Sequence, residues 1–194
     1  MELLMGVAKP KTIFWHCLAE RTQDAQFVSD AVAELQAVLL ADPFNLRLDI
    51  RPLPDDLASI LLPDLHAPNI EACVRAVQPA QASHSFGVSI YCDPDQPVGR
   101  AARARLPHAV WGISMKGLFS LTYCRGNKQI FWHETLHLLG AQDHYDPIIF
   151  RTKCELPTCI MQYAPSEITV GKNAFLCRQT QSVLQRACGI PIVR

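Results

Sequence analysis

The chain has 194 residues, with 18 basic and 18 acidic side chains and a formal net charge of zero. That length fits one domain, and the balanced charge argues against a dedicated nucleic-acid binder, which normally carries a basic excess. With 49% hydrophobic residues the chain is too apolar to be disordered, and it has no run of eighteen apolar residues that could span a membrane.

The predicted elements begin with an α/β unit. Thr12–Leu18 is a β-branched and aromatic run typical of a strand, and Asp24–Leu40 has apolar residues at helical spacing. Leu46–Leu53 alternates apolar and polar residues and is a second predicted strand. A strand, a helix and a strand within about forty residues favour an α/β fold with a right-handed crossover.

A third strand and a hairpin are predicted in the middle of the chain. The strand is Phe86–Cys92, and one short helix at Ile70–Val77 is expected in the Pro- and Ala-rich stretch before it. Ala109–Ser114 and Leu118–Cys124 flank a short turn and predict a hairpin. We expect an edge strand from this hairpin to pair with an extended peptide.

Two further helices are predicted towards the carboxyl end. Asn127 is a suitable N-cap for a helix from about Lys128 to Leu139. The chain after this helix is mostly loop until a last helix at about Asn173–Ala187.

The helix at Lys128–Leu139 carries the residues that indicate chemistry. His133 and His137 are four residues apart, which places them about 40° apart around the axis and about 6 Å apart along it, so both imidazoles can reach one metal ion. Glu134 follows the first histidine and would lie beside that ion, where a carboxylate can take a proton from metal-bound water.

A glycine and an acid extend this motif beyond the helix. Gly140 can adopt a left-handed conformation and end the helix sharply, so that Asp143, three residues later, can supply a third ligand. Three protein ligands leave one position open for water, as in catalytic zinc sites. The adjacent His144 is the alternative third ligand. If Asp143 is the third ligand, His144 would contact one of the metal-binding side chains or lie near substrate. The structural alternative to a metal site is a helix whose histidines make core hydrogen bonds.

A methionine in a short turn sequence follows these residues. HExxHxxGxxD with a later turn methionine resembles the metzincin clan of zinc peptidases. The resemblance implies a zinc ion, a general base and a methionine under the metal site. The residues at the matching positions are His133, His137 and Asp143 as ligands, Glu134 as base and Met161 as the Met-turn residue.

Tyr163 lies two residues beyond Met161. Its position resembles that of the Met-turn tyrosine of astacins and serralysins, which implies a catalytic phenol that helps to hold the oxyanion. The alternative is an aromatic residue that only packs in the turn.

Cysteines around the Met-turn resemble the archaemetzincin pattern, in which they bind a second, structural zinc. The resemblance implies this role for Cys154, Cys159 and Cys177. The pattern differs here in three ways: the third catalytic ligand is aspartate rather than histidine, ten residues separate that ligand from Cys154, and Thr180 replaces a cysteine.

The aspartate at the third-ligand position, with the His-Tyr pair after it, is instead similar to snapalysins. For the cysteines, disulfides between the turn and the last helix, and free buried thiols, are the alternatives to a structural zinc. Cys188 is a poor fourth ligand, since eleven residues of straight helix would place it about 16 Å from Cys177.

The sequence therefore predicts an α/β (α+β) metzincin-like fold over residues 1–194, with a twisted mixed sheet and a zinc-binding helix. Residues 1–140 would form the main subdomain, and 141–194 an irregular subdomain with the Met-turn. The implied activity is that of a zinc metallopeptidase, either an endopeptidase or aminopeptidase-like. The alternative is an inactive zinc- or peptide-binding module of the same fold.

The expected partner is a peptide or protein substrate, with no nucleic acid and no membrane, and the expected state is a monomer. The start, MELLMGVAKPK, does not resemble a signal peptide, so we expect a cytoplasmic protein. A secreted mature form is the alternative.

Overall fold

The computed structural model describes residues 11–19, 22–40, 46–52, 54–61, 72, 75–76, 85–91, 95, 100, 112–115, 119–122, 127–146, 153–156, 159–162 and 176–187. Tyr163, Cys188 and most of the predicted helix at Ile70–Val77 lie outside these residues. None of the helices in the described ranges is both long and apolar enough to cross a membrane.

Five strands in the described part of the chain form one sheet, in the order β2-β1-β3-β5-β4. The strands β1, β2 and β3 are parallel to one another, and β5 is parallel to β3. Strand β4 pairs with β5 in antiparallel register, and it is the last strand of this sheet. The strands are β1 (Lys11–Ala19), β2 (Leu46–Pro52), β3 (Ser85–Tyr91), β4 (Gly112–Met115) and β5 (Phe119–Thr122).

Helix α1 (Thr22–Leu40) connects β1 to β2 and buries one face. Its inward residues recur three or four apart, as expected for a helix that covers a sheet. They are Val28, Ala31, Leu35, Val38 and Leu39, all no more than 4% exposed.

A short helix α2 (Asp55–Leu61) was not predicted from the sequence. It follows Pro54 and begins with Asp55 and Asp56, and acidic residues in a first turn stabilise the helix dipole. At seven residues it is too short for a clear hydrophobic period, which is why the pattern did not reveal it.

Helix α3 (Lys128–Leu138) places the motif residues against the sheet and α1. The side chain of Asn127 accepts hydrogen bonds from the backbone N–H groups of Gln129 and Ile130, which confirms the predicted N-cap. The Trp132 indole donates to the Ala31 carbonyl at 2.7 Å, which ties α3 to α1.

The last helix, α4, spans Arg178–Ala187 rather than beginning near Asn173 as predicted. Leu176 and Cys177 precede its first turn, and both are buried. The Gln181 N–H donates to the Cys177 carbonyl, so Cys177 is the residue that precedes the first turn of α4. Because α4 starts at Arg178, Cys177 lies just before the helix, and its thiol is close to that of Cys159 in the turn at 159–162.

Candidate active site and metal centres

The end of α3 sets the geometry of the motif. Gly140 has a φ of 94°, in the left-handed region that the sequence predicted for it. Its N–H donates to the His137 carbonyl, and the Ala141 N–H donates to the Leu136 carbonyl. These two bonds form a Schellman motif, which ends the helix and turns the chain back towards the imidazoles.

Three side chains converge beyond this turn. The Oδ1 atom of Asp143 lies 3.0 Å from Nε2 of His133 and 3.3 Å from Nε2 of His137. The two Nε2 atoms are 3.1 Å apart. Two ligands of a tetrahedral zinc ion, each about 2.0–2.1 Å from the metal, lie about 3.3–3.4 Å from each other. The three atoms therefore have nearly the spacing that one such ion requires.

The backbone fixes which ring nitrogens face the centre. Nδ1 of His133 lies 2.8 Å from the Ile160 carbonyl, and Nδ1 of His137 lies 2.8 Å from the Ala141 carbonyl. A carbonyl oxygen only accepts, so each Nδ1 carries the hydrogen and a neutral imidazole presents the lone pair of Nε2. Two lone pairs and a carboxylate oxygen then face one another, an arrangement that a cation stabilises.

Charges at this centre act on one another. Burial opposes ionisation of Asp143, but hydrogen bonds from the Nε2–H groups that His133 and His137 carry when protonated, without a metal ion, outweigh it and hold the pKa of this carboxyl well below its ordinary value. Burial lowers the pKa of His137, but the hydrogen bond with Asp143 and the negative charge of Glu134 raise it overall. The site thus favours an anion at Asp143 and a positive charge beside it.

Glu134 lies beside the three converging atoms and is 7% exposed. Burial raises the pKa of its carboxyl, while a hydrogen bond with the Ser114 side chain lowers it. A carboxylate with a raised pKa is suited to accept a proton near neutral pH. The structure thus places the Glu134 carboxyl in one cavity with His133 and His137, and its role as a base stays a prediction.

Strand β4 holds this carboxylate. A Cβ atom added to Gly112 would lie 2.5 Å from Oε1 and 2.5 Å from Cγ of Glu134, closer than real atoms approach. Gly112 and Ser114 are two residues apart and therefore on the same face of the strand. One provides the space that the side chain occupies, and the other provides a hydroxyl partner.

These groups line a cavity of about 470 Å³. Gly112 and Ser114 line one part of it, and His133, Glu134 and His137 line another. The rest is lined by residues 140–143 and by Tyr145, whose ring centroid lies 6.4 Å from that of His133. Its volume falls within the range of ligand-binding sites, roughly 300–1,000 Å³. Tyr145 is a cavity residue that the sequence reasoning did not assign.

A second cluster lies on the other side of the same turn. Nδ1 of His144 is 3.3 Å from Sγ of Cys177 and 3.4 Å from Sγ of Cys159. Sγ of Cys154 also contacts these thiols, and the four ligand atoms all lie within 4.8 Å of one another. Three sulfurs and one imidazole are a structural zinc ligand set.

The cluster is well enclosed. His144, Cys159 and Cys177 are 4%, 0% and 5% exposed, and Cys154 is half-buried. Burial raises the pKa of Cys159 to about 12, so the neutral thiol is strongly favoured in the absence of a cation. Burial also opposes ionisation of Cys177, but hydrogen bonds from Thr180 lower its pKa overall.

Among the sequence alternatives for these cysteines, disulfides are not formed: Cys154, Cys159 and Cys177 are free thiols. His144 faces them rather than His133 and His137, whereas Asp143 lies beside those two histidines. The sequence reasoning missed His144 as the fourth member of the cluster. The position of His144 could have indicated this. It directly follows Asp143, and the archaemetzincin pattern has a cysteine directly after the third ligand.

The turn at residues 159–162 contacts both clusters. Met161 is fully buried, and its carbonyl accepts a hydrogen bond from the His144 N–H at 2.8 Å. Ile160 supplies the carbonyl that faces His133, and Cys159 belongs to the thiol cluster. Tyr163 lies outside the described residues, so its predicted catalytic role stays a prediction.

Comparisons with known proteins found a similarity in structure only. The sequence matches no protein-family model and no curated protein. In structure, the chain is similar to the archaemetzincin of Methanopyrus kandleri, with 13% sequence identity and a TM-score of 0.48. The similarity covers 96% of this chain and 99% of that protein.

Proposed function

We propose that this protein is a zinc-dependent metallopeptidase. The observation that carries the proposal is the convergence of Nε2 of His133, Nε2 of His137 and Oδ1 of Asp143, with the Glu134 carboxylate in the same cavity. Two imidazoles and one carboxylate are a catalytic zinc ligand set, and they leave a coordination position for water. A purely structural site would instead be closed by a fourth protein ligand.

His133, His137 and Asp143 would hold the zinc, which when bound polarises a carbonyl group and lowers the pKa of a water molecule. Glu134 accepts the proton from the attacking water and then donates it to the leaving amine. Ser114 and Gly112 keep the carboxylate in place between these two events. Each transfer needs Glu134 to alternate between its two protonation states.

We propose a peptide as the substrate class. Strand β4 is the last strand of the described sheet and lines the cavity through Gly112 and Ser114. An extended peptide paired along this strand would present its backbone carbonyls to the cavity, in the manner of strand addition. Its side chains would alternate towards and away from the site, so pocket shape would determine specificity.

We further propose a second zinc in a Cys₃His centre formed by His144, Cys154, Cys159 and Cys177. The clustering of their four ligand atoms supports it. Metal binding would deprotonate the thiols, including that of Cys159, which burial otherwise keeps neutral. Metal content per chain, measured by emission spectrometry, should be two equivalents of zinc. One equivalent would show that only one centre binds.

The function is tested with zinc-loaded protein and a library of peptides of diverse sequence, with products identified by mass spectrometry. We expect cleavage that a zinc chelator abolishes. Glu134→Gln should retain zinc and lower kcat by at least about 100-fold, because a positioned general base contributes 10²–10⁴-fold. Glu155→Gln is the matched control, since Glu155 is exposed and outside the cavity. Full cleavage by Glu134→Gln would overturn the mechanism.

A further inference from the structure

Two short chain segments connect the catalytic residues to the thiol cluster. The first is Asp143-His144, in which one residue faces His133 and the next faces the thiols. The second is Cys159-Ile160-Met161, in which Cys159 belongs to the thiol cluster and the Ile160 carbonyl accepts from Nδ1 of His133. Each segment therefore has one contact in either centre.

The first segment fixes the third catalytic ligand. The Asp143 side chain is 39% exposed, so packing restrains it little. The next residue is held much more firmly, because the His144 N–H donates to the Met161 carbonyl at 2.8 Å and its carbonyl accepts from Lys153 at 2.7 Å. With its imidazole bound among the thiols as well, His144 would be a fixed point one residue from the Asp143 carboxylate.

The second segment orients the first catalytic ligand. The Ile160 carbonyl, 2.8 Å from Nδ1 of His133, selects the tautomer and the ring orientation that direct Nε2 into the catalytic centre. That carbonyl is one residue from Cys159, which is fully buried among the thiols. Movement of Cys159 would therefore shift the acceptor that holds His133.

The buried thiols have weak partners in the absence of a metal ion. Thiols are weak donors and weak acceptors, so contacts between sulfur atoms hold a cluster loosely. A metal ion held by His144, Cys154, Cys159 and Cys177 would link all four side chains through stronger metal–ligand bonds. Binding would thus tighten both segments at once.

We infer that the thiol centre positions the catalytic ligands, so that a metal ion bound there raises the affinity of the His133–His137–Asp143 centre for its own metal. The inference deepens the proposed function and rests on it. Groups that orient metal ligands typically change metal affinity by about 10–100-fold, which is the size expected here. Because coupling between two binding sites is reciprocal, the catalytic metal should tighten the thiol centre by the same factor.

The test uses cobalt(II) titrated into the metal-free full chain in competition with a chelator. Cobalt bound by thiolates absorbs through a sulfur-to-metal charge-transfer band, which two imidazoles and a carboxylate do not produce. The two centres can therefore be followed separately, in binding rather than in turnover. The variant is Cys154→Ser, because Cys154 is a thiol ligand that lies in neither connecting segment.

We expect Cys154→Ser to weaken the charge-transfer band and to lower cobalt affinity at the catalytic centre by about 10–100-fold. Glu155→Gln changes the exposed neighbour of Cys154 and should leave both affinities as in the unchanged chain. Circular dichroism establishes that each variant is folded. If Cys154→Ser lost thiol binding while the catalytic affinity stayed within twofold, the coupling would be refuted.

His137→Ala gives a second measurement that leaves the thiol cluster intact. It removes catalytic binding, and by reciprocity it should weaken thiol-centre cobalt binding by the factor found for Cys154→Ser. Unchanged thiol-centre affinity would also refute the coupling. These results are separate from the proposed hydrolysis: coupled binding with no peptide cleavage would overturn the function alone, and cleavage with independent binding would overturn the coupling alone.

Discussion

Asp143 and His144 are consecutive in the chain, yet they face different centres. Oδ1 of Asp143 lies 3.0 Å from Nε2 of His133, whereas Nδ1 of His144 lies 3.3 Å from Sγ of Cys177. The side chains of adjacent residues can leave the backbone in different directions, so one peptide unit can serve both sites. The third-ligand position and the fourth thiol-cluster position are thus occupied by adjacent residues.

Substitutions at these two positions should therefore remove different metal ions. We expect Asp143→Ala to lose the catalytic zinc and keep thiol-bound metal, with the weaker affinity that the coupling predicts, and His144→Ala to do the reverse. His144→Cys is the matched control, because a thiolate also binds zinc and should retain two equivalents. Zinc content together with the cobalt–thiolate absorption separates the cases. Loss of the thiolate absorption in Asp143→Ala would contradict this assignment.

Gly112→Ala tests how closely strand β4 holds the carboxylate of Glu134, the proposed base. The added methyl would lie 2.5 Å from Oε1 of Glu134, so that side chain must move. Overpacking of this kind costs about 1–3 kcal/mol of folding stability. We expect kcat to fall by at least about tenfold with little change in KM, because the base is displaced rather than the substrate. Zinc content should stay unchanged, and full kcat would show that Glu134 has room to adjust.

Ser114→Ala tests the hydroxyl partner of the same carboxylate through its pH dependence. Burial raises the pKa of Glu134 above its ordinary value, and the Ser114 hydrogen bond partly counteracts this. Without the hydroxyl the pKa rises further, so a larger fraction of the base is protonated at a given acidic pH. The acidic limb of kcat/KM should therefore move to higher pH.

Ser114→Thr keeps a hydroxyl on the same face of β4 and is the control for that measurement. Its acidic limb should stay close to that of the unchanged chain. An identical limb in Ser114→Ala would mean that the hydroxyl does not act on Glu134 during turnover.

Gly140→Ala tests the turn that returns the chain to the site. At a φ of 94°, an alanine costs about 1–2 kcal/mol in a left-handed conformation. We expect a loss of stability of that size in chemical denaturation, and weaker zinc binding, because the Ala141 carbonyl holds His137. Gly140→Asn should lose less folding stability than Gly140→Ala, since asparagine adopts the left-handed conformation more readily. Equal losses of stability in the two variants would indicate that steric contact, rather than backbone conformation, determines the cost of replacing Gly140.

Two tyrosines are candidates to stabilise the oxyanion. Tyr163→Phe should lower kcat by about 100-fold if its phenol contacts the developing charge, as one such donor contributes 10²–10³-fold. Tyr145→Phe is the comparison, because Tyr145 lines the cavity near His133. Unchanged turnover in Tyr163→Phe would end the role predicted for Tyr163, and a loss confined to Tyr145→Phe would transfer it to that residue.

Local features of the active-site helix could be predicted from the sequence alone. The spacing of His133 and His137, the N-cap at Asn127 and the left-handed turn at Gly140 all depend on residues within a few positions of one another. Helical geometry and the backbone freedom of glycine determine these features without help from the rest of the chain. The motif was therefore readable before any tertiary contact was known.

The tertiary structure decided which partners each of these residues has. The 143–144 segment meets cysteines from two distant turns only after the chain has folded, and this assigns Asp143 and His144 to separate centres. The contact of Glu134 with Gly112 likewise joins a helix to a strand about twenty residues away in the chain. Sequence spacing determines which side chains share a helix face, but packing between separate segments determines which groups surround a charge, and so its pKa and its chemistry.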